Sequence, residues 1–179
     1  EVDLDVSAIL LGHGGSHVDT VFFGNLESQG VTHSGDNLTG DGAGDDEVIT
    51  CDLQKISKVV QQIVFVINIY TNNRSFEDVA NPYCRLVTAA GEEWCKFALR
   101  EAGRERGLMM ARLVREPGDD RFGFQAVGVP SRGSMWKDCM PDVMRIAGIT
   151  PTQMQLSASA SSVGAASASN AAAGYAPAG

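Results

Sequence analysis

The sequence has no long apolar run, no cluster of basic residues and no closely spaced cysteine pair, and each absence excludes a class of protein. Its longest largely apolar stretch is IVFVINIY at 63–70, well below the roughly 18 residues that a membrane-spanning helix needs. The 14 Lys and Arg residues are scattered through a chain of net charge −8, which argues against a surface for nucleic acid or anionic lipid. We therefore expect no nucleic-acid partner and no direct membrane insertion.

The four cysteines contain no C-x-x-C pair that could begin a zinc site or a redox motif. Buried free thiols are typical of a reducing compartment, so we expect a cytoplasmic location, with an organelle left open. Because the sequence begins at Glu1 and not at Met, an upstream targeting segment also stays open.

Short runs with a two-residue apolar period predict an all-β fold, an antiparallel β-sandwich with short peripheral helices. No helices of 10 to 15 residues alternate with the runs, as a βαβ fold would require. The run at 63–70 is apolar on both faces, which predicts a central strand. Helices are predicted at 55–61, 76–80 and 137–147. The eight predicted strands span 3–11, 20–24, 47–53, 63–70, 83–89, 93–99, 108–116 and 122–129.

The composition changes sharply near the carboxyl end, where 19 of the last 23 residues are Ala, Ser or Gly. Such a segment has little apolar bulk to offset the entropy lost on ordering, so in isolation it is expected to be disordered. We therefore predict a sandwich domain at 1–150 and a low-complexity tail at 151–179, which a partner surface would order.

The segment HSGDNLTGDGAGDDEVIT at 33–50 concentrates negative charge, with five carboxylates and four glycines between Gly35 and Glu47 and no Lys or Arg among them. We call residues 35–47 the acidic loop. Its glycines let the backbone wrap closely around a centre, and its oxygens suit a hard cation; calcium accepts an irregular shell of six to eight oxygens, whereas magnesium requires an octahedron. A solvated acidic turn is the alternative. The candidate oxygen donors are Asp36, Asn37, Asp41, Asp45, Asp46 and Glu47.

The acidic loop does not fit two better-known loop motifs. An EF-hand beginning at Asp36 would have Leu38 and Gly40 at ligand positions, and Asp41 where glycine is needed. A phosphate-binding loop is excluded because flanking carboxylates would repel a phosphate and no GK[ST] ending follows.

Six segments, in this order, resemble the TerD family of tellurium-resistance and stress proteins: SAILLG, FFGNL, THSGDNLTGDGAGDDEVI, IVFVINIY, RSF and FQAVG. The resemblance covers roughly residues 3–148, and the acidic loop matches the family's G-D-N-x-T-G-x-G-x-G-D-D-E signature at every fixed position. It implies a calcium-binding β-sandwich without an established catalytic activity, associated with stress resistance and multiprotein assemblies.

The resemblance also implies a set of metal ligands and a mode of association. The family's opening strand or strands are missing here, so an open sheet edge is expected, through which, together with the tail, a protein partner or a second copy would bind. The DLD segment adds Asp3 and Asp5 to the implied ligands. The implied calcium ligands are Asp36, Asn37, Asp41, Asp45, Asp46, Glu47, Asp3 and Asp5.

No candidate catalytic constellation has the right surroundings, so no enzymatic activity is expected. His13 and His17 lie in a glycine-rich turn where no helix aligns them, and the serines of 128–134 lack a nucleophile elbow. A dyad of Asp45 and Glu47 would need an apolar cleft, and this is the most polar segment of the chain. Two functions remain: a calcium-binding module in stress response or signalling, and a structural or scaffolding subunit in which calcium only stabilises the fold.

Overall fold

The computed structural model describes residues 2–36, 45–79 and 83–148, without the side chains of residues 100 and 101. The described residues form ten strands, three short 3-10 helices and one α-helix. The 3-10 helices are His13–Gly15, Phe76–Asp78 and Leu99–Ala102. The strands are β1 Leu4–Leu11, β2 His17–Val21, β3 Glu27–Ser28, β4 Val31–His33, β5 Ile49–Cys51, β6 Gln62–Ile69, β7 Tyr83–Val87, β8 Glu93–Ala98, β9 Gly107–Arg115 and β10 Phe122–Ser131, and the helix is α1 Trp136–Ala147.

Five strands form the main antiparallel sheet, in the order β10-β9-β6-β1-β2. The central position of β6 confirms the prediction from its apolar residues. Phe65 and Ile67 pack into one core cluster, whereas Val64 and Val66 pack into a second cluster on the opposite face. Because both faces of β6 are covered, a continuous apolar run is the pattern its position requires.

One face of the main sheet is covered by further strands, which makes the fold an antiparallel β-sandwich as predicted. The covering layer consists of the three-stranded sheet β3-β4-β5 and the two-stranded sheet β7-β8. Val31 of β4, Cys51 of β5, and Cys84 and Phe97 of the β7-β8 pair pack into the same cluster as Phe65.

The opposite face of the main sheet is covered by α1. Helical spacing places Cys139, Val143 and Ile146 on one side of the helix, where they pack in a cluster with β-strand residues such as Ile9. Arg112 of β9, 1% exposed, donates to the Ile146 carbonyl at 2.9 Å and so places a positive charge at the carboxyl end of the helix.

Several predicted boundaries differ from the structure. The helix predicted at 55–61 is wrong, because residues 53–60 form turns that place Ile56 and Val60 in the core. The strand predicted at 20–24 ends at Val21. Strands β3 and β4 were not predicted, since runs of two and three residues are too short to show a period.

Two predictions about the ends of the chain keep that status. Residues 149–179 lie outside the described part, so the tail and the boundary at position 150 stay predictions. The open sheet edge expected from the missing opening strands also stays a prediction: the outer strands of the main sheet are β2 and β10, and β1 lies inside it.

Among the described residues, no helix combines the length and the apolar composition needed to cross a membrane.

Candidate metal centre

Three carboxylates from two separate segments of the chain meet where β1 begins. Asp3 and Asp5 are two residues apart and so point to the same face of the extended chain, and Asp36 follows β4. One carboxylate oxygen from each of the three can be chosen so that all lie within 4.8 Å of one another. We call these three residues the acidic cluster. The structure therefore brings together both aspartates of the DLD segment and the first aspartate of the acidic loop.

Glu47, at the other end of the acidic loop, is fixed beside the cluster. Its side chain is 4% exposed, and its Oε2 accepts a hydrogen bond from the Val6 backbone N–H at 2.8 Å. Its charge contributes to raising the pKa of Asp5, which places it within electrostatic reach of the acidic cluster. The carboxylate is thus bound to β1 next to Asp5, which connects the end of the loop to the main sheet.

His33 connects the two ends of the acidic loop and was not identified from the sequence. Its Nδ1 accepts a hydrogen bond from the Gly35 N–H at 3.0 Å, which leaves the proton on Nε2, 3.4 Å from Oε2 of Glu47. Burial lowers the pKa of His33, so the ring is neutral at physiological pH. In the sequence, the one feature that could have identified His33 is its position two residues before the acidic loop.

The electrostatics of the acidic cluster favour a bound cation. Burial raises the pKa of Asp5 to about 7, and the negative charges of Asp3, Glu47 and Asp36 add to the shift. Burial and Asp36 also raise the pKa of Asp3, whose buried Oδ1 has no hydrogen-bond partner among the described residues. A cation would neutralise the repulsion and ligate this oxygen. The donors are all oxygen, which suits a hard cation such as calcium.

The rest of the predicted ligand set is distributed differently. Both oxygens of Asp45 accept hydrogen bonds from Arg85 on β7, at 2.9 to 3.2 Å, and this pairing lowers the pKa of Asp45. Asp46 is exposed, and Asn37 and Asp41 lie outside the described residues. The structure thus places four of the eight predicted ligands together, and the complete ligand set stays a prediction.

The histidines and serines weighed as catalytic candidates lie on the surface or make contacts away from the acidic cluster. His13 is exposed. His17 stacks on Trp136, with ring centroids 5.7 Å apart, and its Nε2 lies 2.8 Å from the Thr20 hydroxyl. Ser131 donates to Asp142 at 3.1 Å beside α1. These contacts hold the β1–β2 connection and α1 in place.

Comparison with known proteins identifies relatives with the same sequence pattern. Residues 1–137 match the family model described as the TerD domain. The chain is 38% identical over 145 residues to the tellurium resistance protein TerZ of Serratia marcescens, covering 80% of this chain and 74% of that protein. It is 39% identical over 147 residues to the stress response protein SCP2 of Bacillus subtilis (strain 168), covering 76% and 72%.

A solved structure shares the fold. The crystal structure of a homologue of the telluride resistance protein TerD, from Streptomyces coelicolor A3(2), aligns with a TM-score of 0.70 at 18% identity. The alignment covers 84% of this chain and 88% of that one. At this level of identity the likeness establishes the fold, so the β-sandwich predicted from the sequence is the architecture of a solved relative.

Proposed function

Because the chain belongs to the TerD family of tellurium-resistance and stress-response proteins, we propose that it is a calcium-binding module in stress response or signalling, without catalytic activity. The observation that carries the proposal is the convergence of Asp3, Asp5 and Asp36, with a buried oxygen of Asp3 that lacks a partner among the described residues. The four free thiols support a reducing compartment.

The residues of the acidic cluster would hold the ion from a buried side and an exposed side. Asp5 belongs to β1, inside the main sheet, and is 7% exposed, whereas Asp36 is exposed at the start of the acidic loop. Calcium would supply the positive charge that the buried carboxylates need. Glu47 and His33 would hold the loop ends in register with β1, so ion binding at Asp36 would be transmitted to the sandwich through these contacts.

Calcium is proposed over magnesium because the predicted ligands come from two separate chain segments. A set of aspartates, an asparagine and a glutamate suits the irregular shell of the larger ion, whereas magnesium retains waters in a strict octahedron. The loop residues of the predicted set would complete the shell: Asn37, Asp41, Asp45 and Asp46.

Calcium binding by the purified full chain tests the proposal directly. After treatment with chelator and its removal, isothermal titration with calcium is expected to show saturable binding, and Asp36→Asn is expected to weaken it by about tenfold, roughly 1.4 kcal/mol. Asp120→Asn removes an exposed carboxylate far along the chain and serves as the matched control. A chain that binds no calcium at millimolar concentration, or an Asp36→Asn variant identical to the control, would overturn the proposal.

The scaffolding alternative rests on the outer strand β10. Among the described residues it has a neighbouring strand on one side only, and Ala126, Gly128 and Pro130 along it are exposed. An unpaired strand edge can accept a strand from a partner or a second copy. Size-exclusion chromatography of the native protein from its source separates the two functions, because elution as a free 19.0 kDa species would exclude the assembly.

A further inference from the structure

A cavity of about 100 Å³ opens between the main sheet and the amino end of α1, beside the acidic cluster. Asp5, Ser7 and Asn68 form its polar floor, and aromatic side chains of three separate segments form its walls. We call it the aromatic cavity. Asp36 and Asp3 do not line it, so it shares only Asp5 with the proposed calcium site.

The floor of the aromatic cavity contains a buried hydrogen-bond acceptor without a donor. Asn68 is 1% exposed, and its Nδ2 donates to the Gly133 carbonyl at 2.9 Å, which fixes the orientation of the amide. Its Oδ1 is buried and has no hydrogen-bond partner among the described residues. Asp5 is directly opposite Asn68 in the β1–β6 register, so both side chains lie on the same face of the sheet, and both line the cavity. A buried acceptor without a donor, in a cavity that also contains a carboxyl group, suits a ligand that donates.

The walls suit a positive charge. Phe22 packs against Trp136 with ring centroids 5.8 Å apart and against Phe23 at 5.3 Å, and Tyr70 is 54% exposed at the rim. Aromatic faces attract ammonium groups because the ring carries negative charge density above its plane. The chain already shows one such contact here, since Lys137 Nζ lies 5.4 Å from the Trp136 ring centroid.

We propose that the aromatic cavity binds a primary alkylammonium group, either a free alkylamine or the lysine side chain of a partner protein. The ammonium would donate to Asn68 Oδ1 and to Asp5, and the aromatic walls would cover its alkyl chain. The volume matches a short linear chain such as butylammonium. The positive charge of Lys137 at the rim would repel an ammonium ligand and attract an anion. Removing the Lys137 charge therefore distinguishes a cationic ligand from an anionic one.

Tryptophan fluorescence of the full chain provides the test. Trp94→Phe leaves Trp136 as the sole tryptophan, and titration with butylammonium chloride in the presence of chelator is expected to change its emission saturably. Neutral 1-butanol should bind about tenfold more weakly, and butyrate should not bind, because only the ammonium combines donors with positive charge. Equal responses to butylammonium and butanol, or binding of butyrate, would overturn the proposal.

Variants of exposed side chains locate the binding without disturbing the core. Tyr70→Ala and Phe23→Ala are expected to weaken butylammonium binding about threefold to tenfold. Tyr83→Ala removes another exposed tyrosine, on β7, and should not change it. Lys137→Met should strengthen binding; weaker binding by this variant would contradict the proposal. Tighter binding of Nα-acetyl-lysine amide, which keeps the ε-ammonium, than of butylammonium would identify a protein lysine as the source. Tighter binding of butylammonium would identify a free amine.

One further variant separates this proposal from the calcium site. Asp36→Asn removes a residue of the acidic cluster that does not line the aromatic cavity. We expect it to lose calcium affinity and to keep butylammonium binding. Loss of butylammonium binding in this variant would instead locate the ammonium at the acidic cluster and overturn the assignment of the cavity.

Discussion

Arg85 and Asp45 form a bidentate ion pair that connects the end of the acidic loop to the β7-β8 pair. Arg85 Nε donates to Oδ1 of Asp45 and Nη2 donates to Oδ2, each at 2.9 Å. The same guanidinium lies 3.4 Å from a carboxylate oxygen of Glu93. Because both oxygens of Asp45 are engaged, this residue anchors the end of the loop to β7.

The first prediction concerns this ion pair. Arg85→Gln and Asp45→Asn are each expected to weaken calcium binding by up to about fivefold, because the partly exposed ion pair holds Asp45 at the end of the loop. The double variant should be no weaker than either single one. Calorimetric titration of the unchanged protein and the three variants with calcium completes the double-mutant cycle. Tighter binding by Arg85→Gln would contradict the prediction, because it would show that the arginine competes with calcium for Asp45 and does not orient it.

Calcium should also stabilise the whole sandwich against heat. Because the ion binds the folded arrangement and not the scattered unfolded carboxylates, calcium at about 100 times its dissociation constant adds roughly 2.7 kcal/mol. For a domain of this size the melting temperature should rise by about 5 to 11 °C. Thermal unfolding with chelator, then with calcium or magnesium restored, measures the shift, and magnesium should give much less. His13→Ala alters an exposed residue and should keep the shift, whereas a melting temperature indifferent to calcium would mean a solvated acidic turn.

Stability in the absence of calcium should depend on pH through Asp5. Burial and neighbouring carboxylates raise the pKa of this group from 3.8 to about 7, so between these values the folded protein binds more protons than the unfolded chain. The contribution of Asp5 to the free energy of unfolding therefore falls as pH rises from about 4 to about 7. Urea unfolding in chelator across this range, compared with Asp5→Asn, isolates the effect. Parallel pH profiles for the two proteins would contradict it.

Gly30, in the turn between β3 and β4, has a conformation and surroundings that only glycine allows. Its φ is +85°, and an added Cβ would lie 2.8 Å from the backbone carbonyl carbon of Lys55. Gly118 has a similar φ of +75° with open space around it. Gly118→Ala is expected to cost about 1 kcal/mol from backbone strain alone, and Gly30→Ala at least about 2 kcal/mol more. Urea unfolding of both variants separates strain from steric overlap, and equal costs would refute the overlap.

The buried guanidinium of Arg112 should be a strong stabilising group. It donates to Gln125 at 2.7 Å, to Gln62 at 3.0 Å and to the last turn of α1. Arg112→Met removes the donor from the buried Ile146 carbonyl and from the two half-buried glutamines, which is expected to cost about 2 to 4 kcal/mol. Arg121→Met, which removes an exposed arginine, should have little effect on the free energy of unfolding. Denaturant titration measures both, and a neutral Arg112→Met would show that α1 is held by apolar packing alone.

The local apolar pattern was sufficient to predict the strands and the helix whose buried residues recur at a regular spacing. The two-residue period predicted β1, β6, β9 and β10 to within about two residues, because the alternation of side chains across a strand is independent of its neighbours. The helical spacing of Trp136, Met140, Val143 and Ala147 predicted α1 in the same way. The turns at 53–60 were mistaken for a helix, since buried Ile56 and Val60 are also four residues apart.

The sequence by itself determined the family, the sandwich and the concentration of negative charge in the acidic loop, because these depend on the order and type of neighbouring residues. Only the tertiary structure decided which carboxylates share a site. Antiparallel pairing and the packing of the sheets bring Asp3 and Asp5 to Asp36, bring Asp45 to Arg85, and place His33 beside Glu47. Contacts over 30 or 40 residues depend on which elements pack together, and a two-residue or 3.6-residue period carries no information about that choice.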